Sequence, residues 1–162
     1  MRPVSPRIND MLNQALTFEL TLVNQYFLDA RVLENWGLPK LGKVYYDLSI
    51  GEMKDADDYI QRILMFDGHP NVQKLNNINT GETPEEILQI SYDGEVAAVE
   101  MFNKLAKEAH DLGDHATALV FQNAAQDEEE HADWFEAQLD AIKVVGKENY
   151  FAQQVDASVN PA

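Results

Sequence analysis

Four long amphipathic segments, separated by prolines and glycines, constrain the fold of this 162-residue chain more than any other feature. In the first segment, apolar residues recur at the spacing that places side chains on one face of a helix. The apolar stripe of this segment is predicted to comprise Ile8, Leu12, Leu16, Leu20, Val23 and Phe27. Ser5 is a typical N-cap, Pro6 suits the first helical position, and Gly37 favours an end to the helix.

The other three segments carry the same helical pattern. The second is predicted to run from about residue 39 to residue 66. Its apolar stripe is predicted at Val44, Leu48, Met53, Tyr59 and Ile63. The third begins at Thr83, which can cap, with Glu86 placed to complete a capping box, and it continues to about residue 112. Gly113 then favours a stop and Asp114 a new N-cap, so the fourth extends to about residue 145.

Helices of roughly 27–32 residues would each be about 40–48 Å long. The intervening segment 71–81 is rich in Asn and is long for a connection between antiparallel neighbours, so it is predicted to cross the length of the bundle. A short fifth helix is expected over about residues 148–156, followed by a disordered polar tail. We therefore predict an all-α fold: one domain over residues 1–162, with an up-down four-helix bundle over about residues 5–145 and one long crossover.

The composition of the chain excludes several classes of ligand and location for such a bundle. The formal net charge is −16, which argues against nucleic-acid binding, because phosphates are neutralised by clustered Lys and Arg. The chain has no Cys, so a transition metal would have to bind through His, Asp and Glu. No apolar stretch approaches a membrane span, and the N-terminal residues lack the apolar core of a secretory signal. A cytoplasmic location is expected.

Pairs of metal-ligating residue types lie three apart on two helices. Glu128 and His131 share a face of the fourth helix, and Glu52 and Asp55 share a face of the second. Such spacing also arises by chance on solvated helices. However, the first and third helices each carry a single carboxylate among apolar residues, where a charge needs a partner. The candidate ligands are Glu19, Glu52, Asp55, Glu95, Glu128 and His131. Their oxygen and imidazole donors suit iron or manganese.

Four stretches of the chain resemble bacterioferritins. They are NQYFLDAR (24–31), NWGL (35–38), YIQRIL (59–64) and DEEEHADW (127–134), and the resemblance covers about residues 8–155. It implies a ferritin-like bundle that assembles into a shell of twenty-four subunits. In such a shell, iron(II) is oxidised at an intrasubunit di-iron centre and stored as a ferric mineral. The resemblance also implies haem b at the two-fold dimer interface and a ferredoxin-type electron donor.

The resemblance assigns roles to particular residues. It implies that Glu19, Glu52, Glu95, Glu128 and His131 bind iron. Glu52 and Glu128 would bridge the two ions. Met53 would be the axial haem ligand, although most helical Met residues simply fill gaps in a core. Because Met53 follows Glu52 directly, it points about 100° around the helix from the metal face, toward a neighbouring subunit.

Asp55 departs from the family pattern, which usually has His at this position. Five carboxylates and one imidazole would leave one excess negative charge over two iron(II) ions. In one hypothesis Asp55 binds iron and the site is an altered but functional ferroxidase. In the other, the site is impaired and the chain mainly contributes shell and haem to a mixed assembly of two subunit types. A different di-iron enzyme, such as a rubrerythrin-like peroxidase, is disfavoured by the absence of Cys.

Three aromatic residues fall near the face of the predicted ligands. Tyr26 and Tyr59 each lie seven residues after a candidate ligand, and Trp134 lies three after His131. One of them is predicted to donate an electron during oxygen reduction; the alternative is that they only pack the core or bond a ligand.

The other polar residues are expected outside the centre. Asp29, Asp57 and Asp58 are expected on the solvated surface. His69 is expected in a loop. His110 and His115 are expected to bracket the turn between the third and fourth helices, where they could line a pore of the shell.

Overall fold

The structure, a computed structural model, describes residues 1–155 and contains five helices and no strand over that range. The helices are α1 (Pro6–Asn35), α2 (Pro39–Met65), α3 (Pro84–Asp111), α4 (His115–Val145) and α5 (Lys147–Ala152). α1 packs along α2 and α3 along α4, so that two helical hairpins form the bundle. The predicted all-α fold is confirmed, although α5 ends four residues before the predicted boundary. The polar tail from residue 156 lies outside the described residues.

Side chains at the helix ends hold the bundle elements at the predicted boundaries. Ser5 accepts a hydrogen bond from the backbone N–H of Arg7, and Asp114 accepts one from the N–H of Thr117. Thr83 accepts from the N–H of Glu86 at 3.2 Å, but the predicted capping box is wrong in its second half. The Glu86 carboxylate accepts instead from the N–H of Glu82, the residue before the N-cap, at 2.7 Å. That residue lies outside the helix, so this bond fixes the incoming loop.

The crossover between α2 and α3 runs beside α1 and in the same direction. Asn13 on α1 accepts from the N–H of Asn71 at 2.8 Å, and Thr21 accepts from the N–H of Asn76 at 2.9 Å. Gln25, one turn further along, both accepts from the N–H and donates to the carbonyl of residue 79. The crossover therefore returns the chain along the bundle, and α3 runs parallel to α2. None of the helices in residues 1–155 has a stretch long and apolar enough to cross a membrane.

The predicted apolar stripe of α1 is wrong in its second half. Leu20 and Val23 are only half-buried, and Phe27 is 49% exposed. The buried face instead runs through Ile8, Leu12, Ala15, Glu19, Leu22, Tyr26, Ala30 and Leu33. Steps of four residues drift around a helix with 3.6 residues per turn, whereas alternating steps of three and four stay on one face. The same error affects α2, where Met53 is exposed and Val44 and Leu48 are half-buried.

Two apolar clusters fill the bundle, one toward each end. The first packs the N-terminal half of α1 against the later parts of α2 and α3, around Phe102 and Phe121. The second packs the later half of α1 against the start of α2 and α3, around Tyr45 and Phe135. Between the clusters, each of the four long helices contributes one buried glutamate at the same level. We call this level the acidic layer; its members are Glu19, Glu52, Glu95 and Glu128.

Candidate metal centre

The four glutamates of the acidic layer are buried. They are between 0% and 2% exposed, which is rare for glutamate unless a partner compensates the charge. Each glutamate sits on the inward face of its helix because a buried apolar neighbour lies one turn before or after it. The sequence pattern therefore predicts the level and the direction of all four side chains.

One imidazole joins three of these carboxylates. A donor atom from each of Glu52, Glu95, Glu128 and His131 lies within 4.8 Å of the others. The Nδ1 atom of His131 is 3.2 Å from Glu128, 3.4 Å from Glu52 and 3.8 Å from Glu95. An ion at the middle of this group would have three oxygen donors and one nitrogen donor at short range. The predicted ligands on three different helices are thus brought together, and their role as iron ligands stays a prediction.

The other two predicted ligands lie to one side of that group. The Glu19 carboxyl group lies close enough to Glu128, Glu52 and Asp55 for their charges to act on it. Asp55 is half-buried and does not belong to the tight four-residue group. It faces a cavity shared with Glu19 and Glu128. The six predicted residues therefore form a compact half with His131 and a more open half with Asp55.

The electrostatics of the layer favour protonated carboxyls in the absence of cations. Burial, followed by the charges of Glu128 and Glu52, raises the pKa of Glu19 well above its usual value. Burial and the charge of Glu95 raise the pKa of Glu52 to about 8. Burial and the charge of Glu52 raise the pKa of Glu128 to about 8. Burial, Asp127 and Asp58 also raise the pKa of Asp55. Crowded buried carboxyls therefore hold protons that a cation could replace.

Three carboxylate oxygens of the acidic layer are unsatisfied, and they show whether a metal would suit this site. One carboxylate oxygen on each of Glu19, Glu52 and Glu95 is buried and has no hydrogen-bond partner among the described residues. Such groups are costly in a folded protein unless a ligand satisfies them. Oxygen donors with one imidazole are suited to iron. The donor set and its unsatisfied oxygens therefore fit iron.

A cavity of about 560 Å³ leads from the surface to the layer between α2 and α4. Its inner end is formed by Glu19 and Glu128, and its outer wall includes the exposed Asp58 and Asp127. Asp58 was expected on the solvated surface, and it is exposed, but it also lines this opening. Asp57 is exposed, as expected.

The three predicted aromatic neighbours differ in their contacts with the layer. Tyr26 is fully buried and donates a hydrogen bond to Glu95. Tyr59 is buried and lines the cavity beside Glu19. Trp134 is half-buried and packs edge-on against Phe135 in the second apolar cluster, with ring centroids 5.1 Å apart. Tyr26 therefore has the most direct connection to a candidate ligand.

Met53 points away from the acidic layer, about 100° around α2 from Glu52. It is 49% exposed, although it was also placed in the predicted apolar stripe of this helix. On the same outer face of the α1–α2 hairpin, Phe27 and Tyr46 pair with ring centroids 6.4 Å apart, and Arg31 lies over both rings. An exposed thioether on an apolar face could supply a ligand to a haem iron.

The expectation that Asp29 is solvated is wrong. Asp29 is 1% exposed, and burial raises its pKa to about 7. It accepts from Gln25, whose amide also donates to the carbonyl of Asn79 in the crossover. Asp29 lies seven residues after Leu22 and three after Tyr26, so the buried period of α1 could have revealed it.

Fold and acidic layer together define a ferritin-like protein. A sequence model described as the ferritin-like domain matches residues 9–145, which include all six candidate ligands.

Curated relatives narrow this class. The bacterioferritin of Brucella melitensis is 37% identical over 145 residues, which cover 90% of each chain. That of Rhodobacter capsulatus is 36% identical over 144 residues, or 89% of each chain. That of Streptomyces coelicolor is 34% identical over 151 residues, or 93% of this chain and 90% of the relative. The chain therefore belongs to the bacterioferritins, and at the level of the family its function is iron storage.

Proposed function

We propose that this protein oxidises iron(II) at the acidic layer and stores the product as a ferric mineral in a shell of twenty-four subunits. One observation carries the proposal: buried carboxylate oxygens on Glu52 and Glu95 lack a hydrogen-bond partner among the described residues and belong to the group around the His131 imidazole, and a third such oxygen, on Glu19, lies to one side of that group. Such oxygens are costly to bury, and a cation shared by the carboxylates would compensate them.

The two halves of the layer would bind the two iron(II) ions unequally. Glu52 and Glu128 touch both halves, so they are placed to bridge. Glu95 and His131 complete the compact half. Glu19 and Asp55 complete the open half, where Asp55 is a shorter arm than the usual imidazole and lies outside the tight group. We expect the compact half to bind iron(II) more tightly.

Proton release would accompany iron binding. Glu52 and Glu128, with pKa values raised to about 8, hold protons near neutral pH when no cation is bound. Iron(II) then replaces these protons and satisfies the free oxygens. The bound ions each give up one electron to oxygen or peroxide, and the carboxylate-rich surroundings stabilise the higher charge of iron(III). The exposed Asp58 and Asp127 would attract incoming cations to the cavity.

A stopped-flow measurement of iron(II) oxidation tests the proposal. A fast phase that saturates at two iron(II) per subunit is expected. Asp55→His should accelerate it, since an imidazole restores charge balance in the open half. Asp57→His, an exposed position on the same helix, is the matched control and should leave the rate unchanged.

The position of Asp55 also favours a second candidate function. If the parent shows no fast phase and Asp55→His creates one, the chain is a ferroxidase-impaired subunit of a mixed shell. No fast phase in either protein would overturn the proposal that the layer oxidises iron(II).

Haem b is proposed to bind at Met53, between two subunits related by a two-fold axis. The thioether would supply an axial ligand, and the apolar face with Phe27 and Tyr46 would cover part of the ring. Met53→Leu should remove the haem absorbance and leave the assembly intact. Met65→Leu, an exposed methionine on the same helix, is the control. Retention of haem in Met53→Leu would contradict the assignment.

Storage itself is tested by native mass after iron loading. A hollow particle of twenty-four subunits that retains many more irons than its centres can hold supports storage. A monomer or dimer with two irons would contradict it. The native mass of the shell purified from its natural source shows whether it contains one subunit type or two.

A further inference from the structure

We propose that the turn between α3 and α4 carries a second metal site, formed by His110 and His115 and selective for late first-row divalent ions such as Cu²⁺ or Zn²⁺. Both histidines are exposed, and their ring centroids are 4.7 Å apart with an angle of 66° between the ring planes. Two imidazoles bound to one tetrahedral ion at about 2.1 Å would have centroids about 5 Å apart. The rings now meet edge to face, so rotation of both side chains is required to bring two ring nitrogens to one ion.

The backbone holds the two rings in this relation. Gly113, at φ +83°, donates from its N–H to the carbonyl of His110 at 2.9 Å. Asp114 donates from its N–H to the carbonyl of Ala109 at 2.9 Å. His110 ends α3 and His115 begins α4, so each ring is anchored by a helix. A chelating pair on such a short, bonded turn loses little freedom when an ion binds.

The carboxylates around the turn already have cationic or hydrogen-bonding partners. Asp111 pairs with Lys107 at 2.5 Å. Glu108 pairs with Arg7 at 2.7 Å. The Asp114 carboxylate accepts from the backbone and hydroxyl of Thr117. The donors left for an ion are therefore mainly nitrogen, and imidazole binds Cu²⁺ and Zn²⁺ more tightly than iron(II) or magnesium.

This site is separate from the acidic layer. His110 lies fifteen residues after Glu95 on α3, and His115 lies thirteen before Glu128 on α4. At the helical rise, both separations correspond to about 20 Å. The layer offers one imidazole and many oxygens, whereas the turn offers two imidazoles. Loss of one site should therefore leave the other intact.

Copper binding to the assembled protein tests the site. Cu²⁺ is added at one equivalent per subunit, and electron paramagnetic resonance counts the imidazole nitrogens bound to it. Two nitrogens per copper are expected, which the acidic layer with its single His131 cannot provide. His110→Ala and His115→Ala should each abolish the two-nitrogen signal and weaken the tightest copper binding at least about tenfold, because a chelate becomes a single ligand. His69→Ala, an exposed loop histidine, is the control.

Two results would overturn the site: a parent protein without the two-nitrogen signal, or variants that retain it. Loss in only one of the two variants would also overturn it, since the second nitrogen would then come from elsewhere. Iron(II) oxidation by His110→Ala should match the parent, and this readout separates failure at the turn from failure of the proposed ferroxidase.

Discussion

Two buried polar clusters of this bundle are built in opposite ways. Near the α3–α4 turn, Arg62 donates to the hydroxyl of Thr117 at 2.9 Å, and that hydroxyl donates to Asp114 at 2.6 Å. Arg62 also pairs with Asp114 at 3.5 Å, so the negative charge has a cation within the protein. In the acidic layer, three of the four buried glutamates share a single imidazole, and three carboxylate oxygens have no hydrogen-bond partner among the described residues.

The turn cluster, Arg62–Asp114–Thr117, is built to stabilise the fold, whereas the acidic layer is built to bind a ligand. The turn cluster satisfies its own groups and needs nothing from solution, as is typical of a structural network. The acidic layer has one imidazole and, without a metal, relies on protons held by its crowded carboxyls, so the folded chain loses stability as those protons leave. Substitutions should therefore affect the two clusters in opposite directions.

The largest effect is expected for Glu128→Gln. We expect iron(II) oxidation to slow by about 100-fold, because the variant loses a bridging ligand. Above about pH 8, the metal-free variant should also melt at a higher temperature than the parent, since a neutral amide replaces a crowded carboxylate. Stopped-flow oxidation and thermal unfolding measure the two effects. Glu130→Gln, an exposed position on the same helix, is the control, and an equal loss there would contradict the assignment.

Thr117→Val should show the reverse combination. Removal of the buried hydroxyl leaves Arg62 and Asp114 each with one unmade bond, which costs about 2 kcal/mol. A fall in the unfolding temperature of about 6 °C is expected, with unchanged iron oxidation. The exposed Thr80→Val serves as the comparison at equal protein concentration. A slower oxidation in Thr117→Val would show that the two clusters are coupled.

A smaller effect is expected from pH on the metal-free protein. Glu52 and Glu128 have pKa values of about 8 in the folded state and about 4.5 when unfolded, so the folded state holds more protons between these values. The contribution of these two groups to the free energy of unfolding is therefore fully present below about pH 4.5 and is lost as the pH rises through about 8. Between pH 5.5 and 8 the unfolding temperature should fall by at least about 3 °C.

Redox-inert Zn²⁺ should largely remove this dependence, because it replaces the protons. The dependence should also be weaker in Glu128→Gln than in the parent. An unfolding temperature that rises with pH over this window would contradict the role of the layer.

The smallest effect is expected for Tyr26→Phe. Glu95 loses the phenol that orients it, and the initial oxidation rate should fall about threefold. The exposed Tyr46→Phe should leave the rate unchanged. A tyrosyl radical signal in the parent that is absent in Tyr26→Phe would extend the role of Tyr26 to electron donation; an unchanged rate would contradict its positioning of Glu95.

Local patterns predicted much of this molecule and failed where distant segments meet. Ser5 and Asp114 mark helix starts because an N-cap acts within one turn. The four glutamates of the layer could be predicted because helical spacing fixes which way each points. The helical period of α1 could have placed Asp29 and Phe27, because alternating steps of three and four put Asp29 on the buried face and Phe27 off it. The open position of Asp55 depends on neighbouring helices.

The division of the core by the acidic layer has a consequence for unfolding. Each apolar cluster forms its own half of the bundle, and the level that joins them is a layer of crowded, buried carboxyls instead of apolar packing. Amide hydrogen exchange in the iron-free chain should therefore reveal two regions that open separately. Cation binding in the acidic layer should join the two regions into one cooperative unit. Iron loading should therefore slow amide exchange in both halves of the subunit together.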